Sequence, residues 1–180
     1  MPEKYSQLNI IKNIYALKKV KRSGWLASGL GIEKTESVAD HSFACATLGL
    51  AIVSSFRKDL DLGKILAMSL MHDIAESVTG DIIDQKKVYT DNDIEQEISK
   101  EIFSGSDTML ALCREFSENI SEESKFVKSL DKLELLLQAQ DYKNTQNLDT
   151  EEYFINNLHK VDFEILGLDK EPFIDNFFNK

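Results

Sequence analysis

The chain has 180 residues, 42% of them hydrophobic, with 2 prolines and 8 glycines. This is one domain's length with enough apolar content for a core; it excludes a disordered chain and favours long helices on short loops. A net charge of −10 argues against a general binder of nucleic-acid backbones.

The acidity is uneven. Residues 1–25 hold six bases (Lys4, Lys12, Lys18, Lys19, Lys21, Arg22) against one acid, Glu3. Such a segment suits either a small anion or a solvated helix face. Leu8, Ile11, Ile14 (or Tyr15) and Leu17 recur at helical spacing, predicting an amphipathic helix over 6–20. Gly24, Gly29 and Gly31 then mark 21–35 as a loop. Ser37 with Asp40 three residues on reads as a capped helix start, and the helix runs to about Phe56. His41, Cys45, Leu48 and Ile52 share one face of it, so His41 heads an inward line.

A second apolar helix is predicted over 61–79, with Gly80 as its terminator. The polar stretch 84–90 reads as a loop. Further helices are expected at 91–104 and 108–118, and a long one over 121–143. There Phe126, Leu130, Leu133 and Leu137 form the core stripe, and Asp131 lies on its flank. Residues 150–166 read as one helix, and Glu171-Pro172 opens a short last one, with proline at a permitted first-turn position. Strand alternation, repeats and a domain boundary are absent, so the expected fold is an all-α, single-domain bundle over 1–180. The start Met1-Pro2-Glu3-Lys4 lacks a signal peptide's apolar core, and no apolar run reaches the roughly 18–20 residues of a bilayer span. Cys45 and Cys113 read as buried reduced thiols. The expectation is a cytoplasmic protein off the membrane.

The 61–79 helix ends in His72, Asp73 and Glu76, with Asp81 just past Gly80. Ionisable groups at the end of a buried helix need neutralising, because desolvating even a neutral polar group costs about 2–7 kcal/mol. His41, His72, Asp73 and Asp131 come from three helices at inward or flanking positions. Converging, they make a four-donor N/O metal site.

The chain resembles the HD-domain metal-dependent phosphohydrolases, whose ordered pattern is H…HD…D. The stretches carrying the resemblance are 17–25 (with Arg22 and Trp25), Glu36-Ser37-Val38-Ala39-Asp40-His41-Ser42, His72-Asp73-Ile74-Ala75-Glu76-Ser77-Val78-Thr79-Gly80-Asp81, and Lys125 to Asp131. They are similar to the small 5′-deoxynucleotidases, including the HD domain-containing protein 2 group. The likeness covers about 17–138, the metal-site core, and fades over the helices of 150–180. It implies that His41, His72, Asp73 and Asp131 bind one divalent cation, and that Glu76 and Asp81 handle the attacking water and the leaving group. Arg22 and Trp25 would hold the nucleotide, Arg22 at its phosphate.

Each role has a structural alternative: a salt bridge for Glu76, a cap for Asp81, plain core for Trp25. Lys87 and Lys128 read as solvated or weakly supporting, and His159 as structural or exposed. Dinuclear relatives recruit more histidines than the three present, so one metal is expected, whether Mn²⁺, Co²⁺, Fe²⁺, Ni²⁺, Zn²⁺ or Mg²⁺. The expected activity is 5′-nucleotidase action on nucleoside monophosphates. The alternatives are another small phosphoester, or a regulatory module with an inert metal site. A homodimer is the oligomeric expectation, with Tyr153, Phe154, Phe173, Phe177 and Phe178 covering either its interface or the core.

Overall fold

The computed structural model describes residues 7–82 and 91–178. Every regular element among them is a helix, apart from one isolated antiparallel bridge between Lys21 and Ser37. The all-α expectation holds. The loop expected at 84–90, with Lys87, lies outside the described residues.

The first helix, α1 (Gln7–Leu17), is rotated from the predicted stripe. Leu17 and Ile10 face the core, while Ile11 and Ile14 stay about half exposed. The predicted loop after it contains a short helix, α2 (Ser23–Ala27). Burial of Trp25 organises this turn, its ring stacked on Tyr153 at 4.7 Å and edge-on to Tyr142 at 5.2 Å. Gly24 serves that packing rather than flexibility, since a Cβ there would collide with the Tyr153 hydroxyl.

The next helix, α3 (Val38–Ser55), starts as predicted. Ser37 Oγ accepts the Asp40 N–H, and Asp40 accepts the Ser37 N–H in return, a capping box of about 1 kcal/mol. By length and composition α3 alone among the described helices matches a membrane span. Eight of its residues are nonetheless buried in this bundle, His41 and Ser42 among them.

The helix predicted over 61–79 is instead two, α4 (Leu62–Met71) and α5 (Glu76–Thr79). Between them the backbone tightens into three-residue turns, Ile74 N–H to Met71 O and Glu76 N–H to Asp73 O, each 3.0 Å. Gly80 ends α5 at φ +74°, where only glycine is unstrained. There follow α6 (Asp91–Ile102), α7 (Asp107–Glu118) and the long α8 (Glu122–Gln146). The single helix expected over 150–166 is also broken, into α9 (Glu151–Leu158) and α10 (Phe163–Leu166). The break is made by Ser129 of α8. Its buried hydroxyl accepts the Asp162 N–H (2.7 Å) and donates to Asp162 O (3.1 Å). The last helix is α11 (Lys170–Phe177).

The main core lies where α3, α4 and α8 meet, with Ile65, Met68, Phe126, Leu130 and Leu133 almost wholly enclosed. Of the late aromatics, Phe154, Phe173 and Phe178 pack against it, while Phe177 is 54% exposed. Gly49 lets α3 approach α4 and α8 closely in this core. A Cβ there would stand 3.0 Å from Ile65 Cγ2 and 3.1 Å from Leu130 Cδ2. This contact, two turns along α3 from His41, draws together the helices that carry His41, His72 and Asp131. Gly49→Val should therefore cost roughly 1–3 kcal/mol through overpacking, read as a lower urea midpoint at unchanged m-value.

Candidate functional site

His41 sits one residue after the capping box and is fully buried. Its Nε2 lies 3.2 Å from Asp131 Oδ1 and 3.8 Å from Asp73 Oδ2. His72 closes α4, and its Nε2 lies 3.2 Å from the same Asp73 oxygen. The structure thus brings together the four donors expected from the sequence. The fit to a metal can be tested. Donors about 2.1 Å from one ion stand about 3.0–3.4 Å apart at right or tetrahedral angles, so two of the three distances match and the third needs a small contraction. His72 Nδ1–H donates to Ser69 O at 2.9 Å, so in the neutral ring the lone pair is on Nε2. That nitrogen is buried and makes no hydrogen bond. The donor set suits a divalent cation.

Arg22 enters from the stretch before α2. The Lys21–Ser37 bridge, with Arg22 N–H donating to Glu36 O at 3.1 Å, holds this stretch against the start of α3. Its guanidinium lies 3.5 Å from Asp73 and 3.8 Å from Asp81. Burial disfavours the Arg22 charge, but Asp73 and Asp81 outweigh it and raise the group above its ordinary value. Burial likewise works to raise Asp73, yet His72 and Arg22 hold it well below the usual carboxylate range. Among the described bases of the N-terminal segment, Arg22 reaches the site. Lys21 donates to Thr35 O, and Lys18 lies over the Tyr15 ring.

Asp81 is more committed than expected. Its Oδ2 accepts the Ser23 N–H (2.5 Å) and the Ser23 hydroxyl (3.1 Å), tying the chain after α5 to the start of α2. Glu76 opens α5, buried and one tight turn beyond Asp73. Trp25 occupies core rather than site wall. It is 1% exposed, with Nε1–H donating to Glu36 Oε1 at 2.8 Å. His159 is exposed at the end of α9. Lys128 turns from Asp131 to stand 5.3 Å over the Phe116 ring, and Lys132 meets Asp131 instead at 2.9 Å. Beside His72, Phe116 and Lys128 line a cavity of about 340 Å³ between α4, α6, α7 and α8.

Sequence reasoning missed two acids. Glu134, 3% exposed, places Oε2 2.5 Å from His41 Nδ1. Glu36 shares this corner, its carboxylate within 4.8 Å of both. The available signal was the spacing Asp131–Glu134, which puts two acids on one helical face. Cys45 lies one turn below His41, its sulfur 3.7 Å from Nε2; burial pushes its thiol up to about 12, so it stays protonated.

Burial, then the Glu134 charge, pushes Glu36 up to about 7, against the lowering effect of the Trp25 N–H. The folded chain therefore keeps a proton between pH ~4.5 and ~7 that the unfolded chain has lost. Stability falls as pH rises through that window, on the order of 3 kcal/mol in all. Glutamine mimics the protonated carboxyl. Under chelator, Glu36→Gln should equal the parent in urea stability near pH 4.5 and exceed it by roughly that amount at pH 8. An identical gap at both pH values would remove the assignment.

Known proteins resemble the chain over most of its length. The HD domain family matches residues 14–169. The 5′-deoxynucleotidase HDDC2 of Mus musculus is 32% identical over 78% of this chain and 71% of that protein. Its namesake in Dictyostelium discoideum is 31% identical, over 76% and 77%. A conserved hypothetical protein from Pyrococcus furiosus superposes with a TM-score of 0.77 at 26% identity, covering 96% of this chain and 99% of that one. A match across most of the chain, joined to these relatives, establishes that this chain belongs to the HD domain family and is a hydrolase.

Proposed function

We propose that the protein is a 5′-nucleotidase that releases phosphate from deoxynucleoside 5′-monophosphates with the help of one divalent cation. The observation that carries this reading is the set of four N/O donors around a buried histidine nitrogen, with a guanidinium at its edge. The names of the Mus musculus and Dictyostelium discoideum relatives supply the substrate class.

In this reading His41, His72, Asp73 and Asp131 hold the cation. Bound there, a divalent ion lowers the pKa of a water and offsets phosphate charge. The protein's own groups do the rest. Glu76 takes the proton of the attacking water, being an acid brought beside Asp73 by the turn at 73–76. Arg22 presents paired N–H donors to the phosphate, a match that lysine lacks. Its present partners, Asp73 and Asp81, hold it aimed at that position. Asp81, with one oxygen bound to Ser23, aligns Arg22 and the leaving 5′-oxygen, and that leaving oxygen takes up the proton that Glu76 removed from the water, so the products are the nucleoside and phosphate. Trp25 supports Arg22 from within the core instead of touching the base.

The test is direct. The chain is stripped with chelator and single divalent ions are restored. Phosphate release is then measured from deoxy- and ribonucleoside monophosphates and from a baseless sugar phosphate. Release that needs a metal and favours the deoxynucleotides supports the proposal. Metal-dependent release that ignores the nucleoside would point to a broader phosphoesterase. A chain that binds metal and releases nothing would leave a regulatory module.

A further inference from the structure

His41 poses a problem that its position alone does not solve. Its ring is fully buried, and both nitrogens face carboxylates: Nδ1 faces Glu134 at 2.5 Å, and Nε2 faces Asp131 at 3.2 Å. A neutral imidazole donates from one nitrogen and offers a lone pair at the other. To serve a cation, the proton must stay on Nδ1. His72 meets the same requirement with the carbonyl of Ser69, a neutral acceptor three residues back on its own helix. Val38 and Ser37 hold the equivalent places before His41, but Val38 O is taken by the Ser42 hydroxyl and Ser37 O by the His41 backbone N–H. The acceptor for Nδ1 comes from another helix.

We propose that Glu134 is the positioning residue for His41: it accepts the Nδ1–H, fixes the ring, and keeps the Nε2 lone pair turned toward Asp73 and Asp131. The inference rests on the metal-site reading above. It extends that reading to the side chains behind the donors, Glu134, Glu36 and Trp25. Three features hold Glu134 in place. It lies one turn beyond Asp131 on α8, so one rigid helix carries a carboxylate facing each nitrogen of the His41 ring. Glu36 closes the corner and is itself tied by the Trp25 indole N–H at 2.8 Å. The Glu36 backbone N–H donates to Tyr142 Oη at 2.8 Å, and Tyr142 lies further along the same α8. The buried tryptophan thus belongs to this chain of contacts, which gives it a part in the site without contact to substrate. A carboxylate behind a histidine ligand orients the ring and raises its basicity; removing such a partner costs about 10–100-fold in metal affinity.

The experiment uses the full chain, with Zn²⁺ and Co²⁺ as probes. Glu134→Gln keeps a carbonyl acceptor at the same place, whereas Glu134→Met fills the same volume without one. Cation dissociation constants are read by chelator competition. The imidazole N–H of His41 is followed by nitrogen-15 NMR in the Zn²⁺-loaded protein. The expected result is a protected Nδ1–H in the parent and in Glu134→Gln, with affinity within about tenfold. Glu134→Met should lose that proton signal and bind roughly 10–100-fold more weakly. Equal affinity in the parent and Glu134→Met, or equal losses in both variants, would overturn the proposal. If Glu134→Met does not fold, Trp25→Phe takes its place; it deletes the indole N–H to Glu36 together with part of the buried ring and should weaken binding several-fold, and no change would count against the chain of contacts. A parent that binds neither cation would instead remove the metal site itself, an outcome distinct from failure of the Glu134 role.

Discussion

Asp131→Ala is expected to abolish metal-dependent phosphate release, by at least about 10³-fold in kcat/KM, or roughly 4 kcal/mol of barrier. The argument starts from placement. Asp131 is the one donor of the four contributed by α8, and its Oδ1 faces His41 Nε2 across 3.2 Å. In the metal-free chain burial works to raise this carboxyl, but the contact from a protonated His41 and the Lys132 charge outweigh it and hold it well below the usual carboxylate range. It is therefore an anion at any working pH, ready for a cation without first losing a proton. Alanine removes a donor and a charge together, and no other α8 carboxylate reaches the gap, because Glu134 lies behind the His41 ring. Cation affinity should fall at least about 100-fold, the upper end of what loss of a supporting partner costs. Chelator competition on the purified variant measures it. Wild-type affinity in Asp131→Ala would mean that the cation, if bound, sits elsewhere.

How much of this was legible in the sequence depends on what kind of signal each residue leaves. His41 was legible because a capping box fixes where its helix starts and the 3.6-residue period then fixes its face. Asp131 was legible as an acid beside an apolar stripe. The stripe's far end drifted, with Leu136 fully buried where Leu137 was expected, but Phe126, Leu130 and Leu133 held. The helix break at 72–75 left no propensity signal, since no proline or glycine interrupts Met71 to Ser77. It is made by tertiary demand: His72 and Asp73 are adjacent in the chain yet must approach one point, and the tight turn also brings Glu76 round. The break between α9 and α10 has the same origin in Ser129, a small polar residue on a helix far away in sequence.

Three glycines made 21–35 read as a loop, and one of them, Gly24, is there because a helix packs too closely for a side chain. Glu134 and Glu36 were missed for a further reason. A buried acid is indistinguishable in sequence from an exposed one until its partner is known, and His41 is 93 residues from Glu134. The motif residues told of the cation; the residues that hold the motif in place did not announce themselves.

Glu76→Gln is the sharper test of chemistry as opposed to binding. Glutamine keeps the volume and a hydrogen-bonding oxygen of a buried side chain at the first turn of α5, and removes the negative charge and the ability to take a proton. Glu76 follows Asp73 through a three-residue turn, and its charge acts on Arg22 at the edge of the site, while the residue is not one of the four donors. Its charge is also among those that favour the Arg22 cation, after Asp73, Asp81 and Asp131. Two effects are then separable. Loss of a general base should lower kcat by about 10²–10⁴-fold. Loss of one of several carboxylates around Arg22 should shift KM only a few-fold, and in the favourable direction, because the guanidinium is left freer for phosphate. Cation affinity should stay within a few-fold of the parent, in contrast to Asp131→Ala. Measured side by side, the two variants distinguish a site that holds a metal from one that uses it. A Glu76→Gln protein with near-normal kcat would move the proton-accepting role to another group. One with kcat and cation affinity lost together would make Glu76 a fifth donor instead of a base.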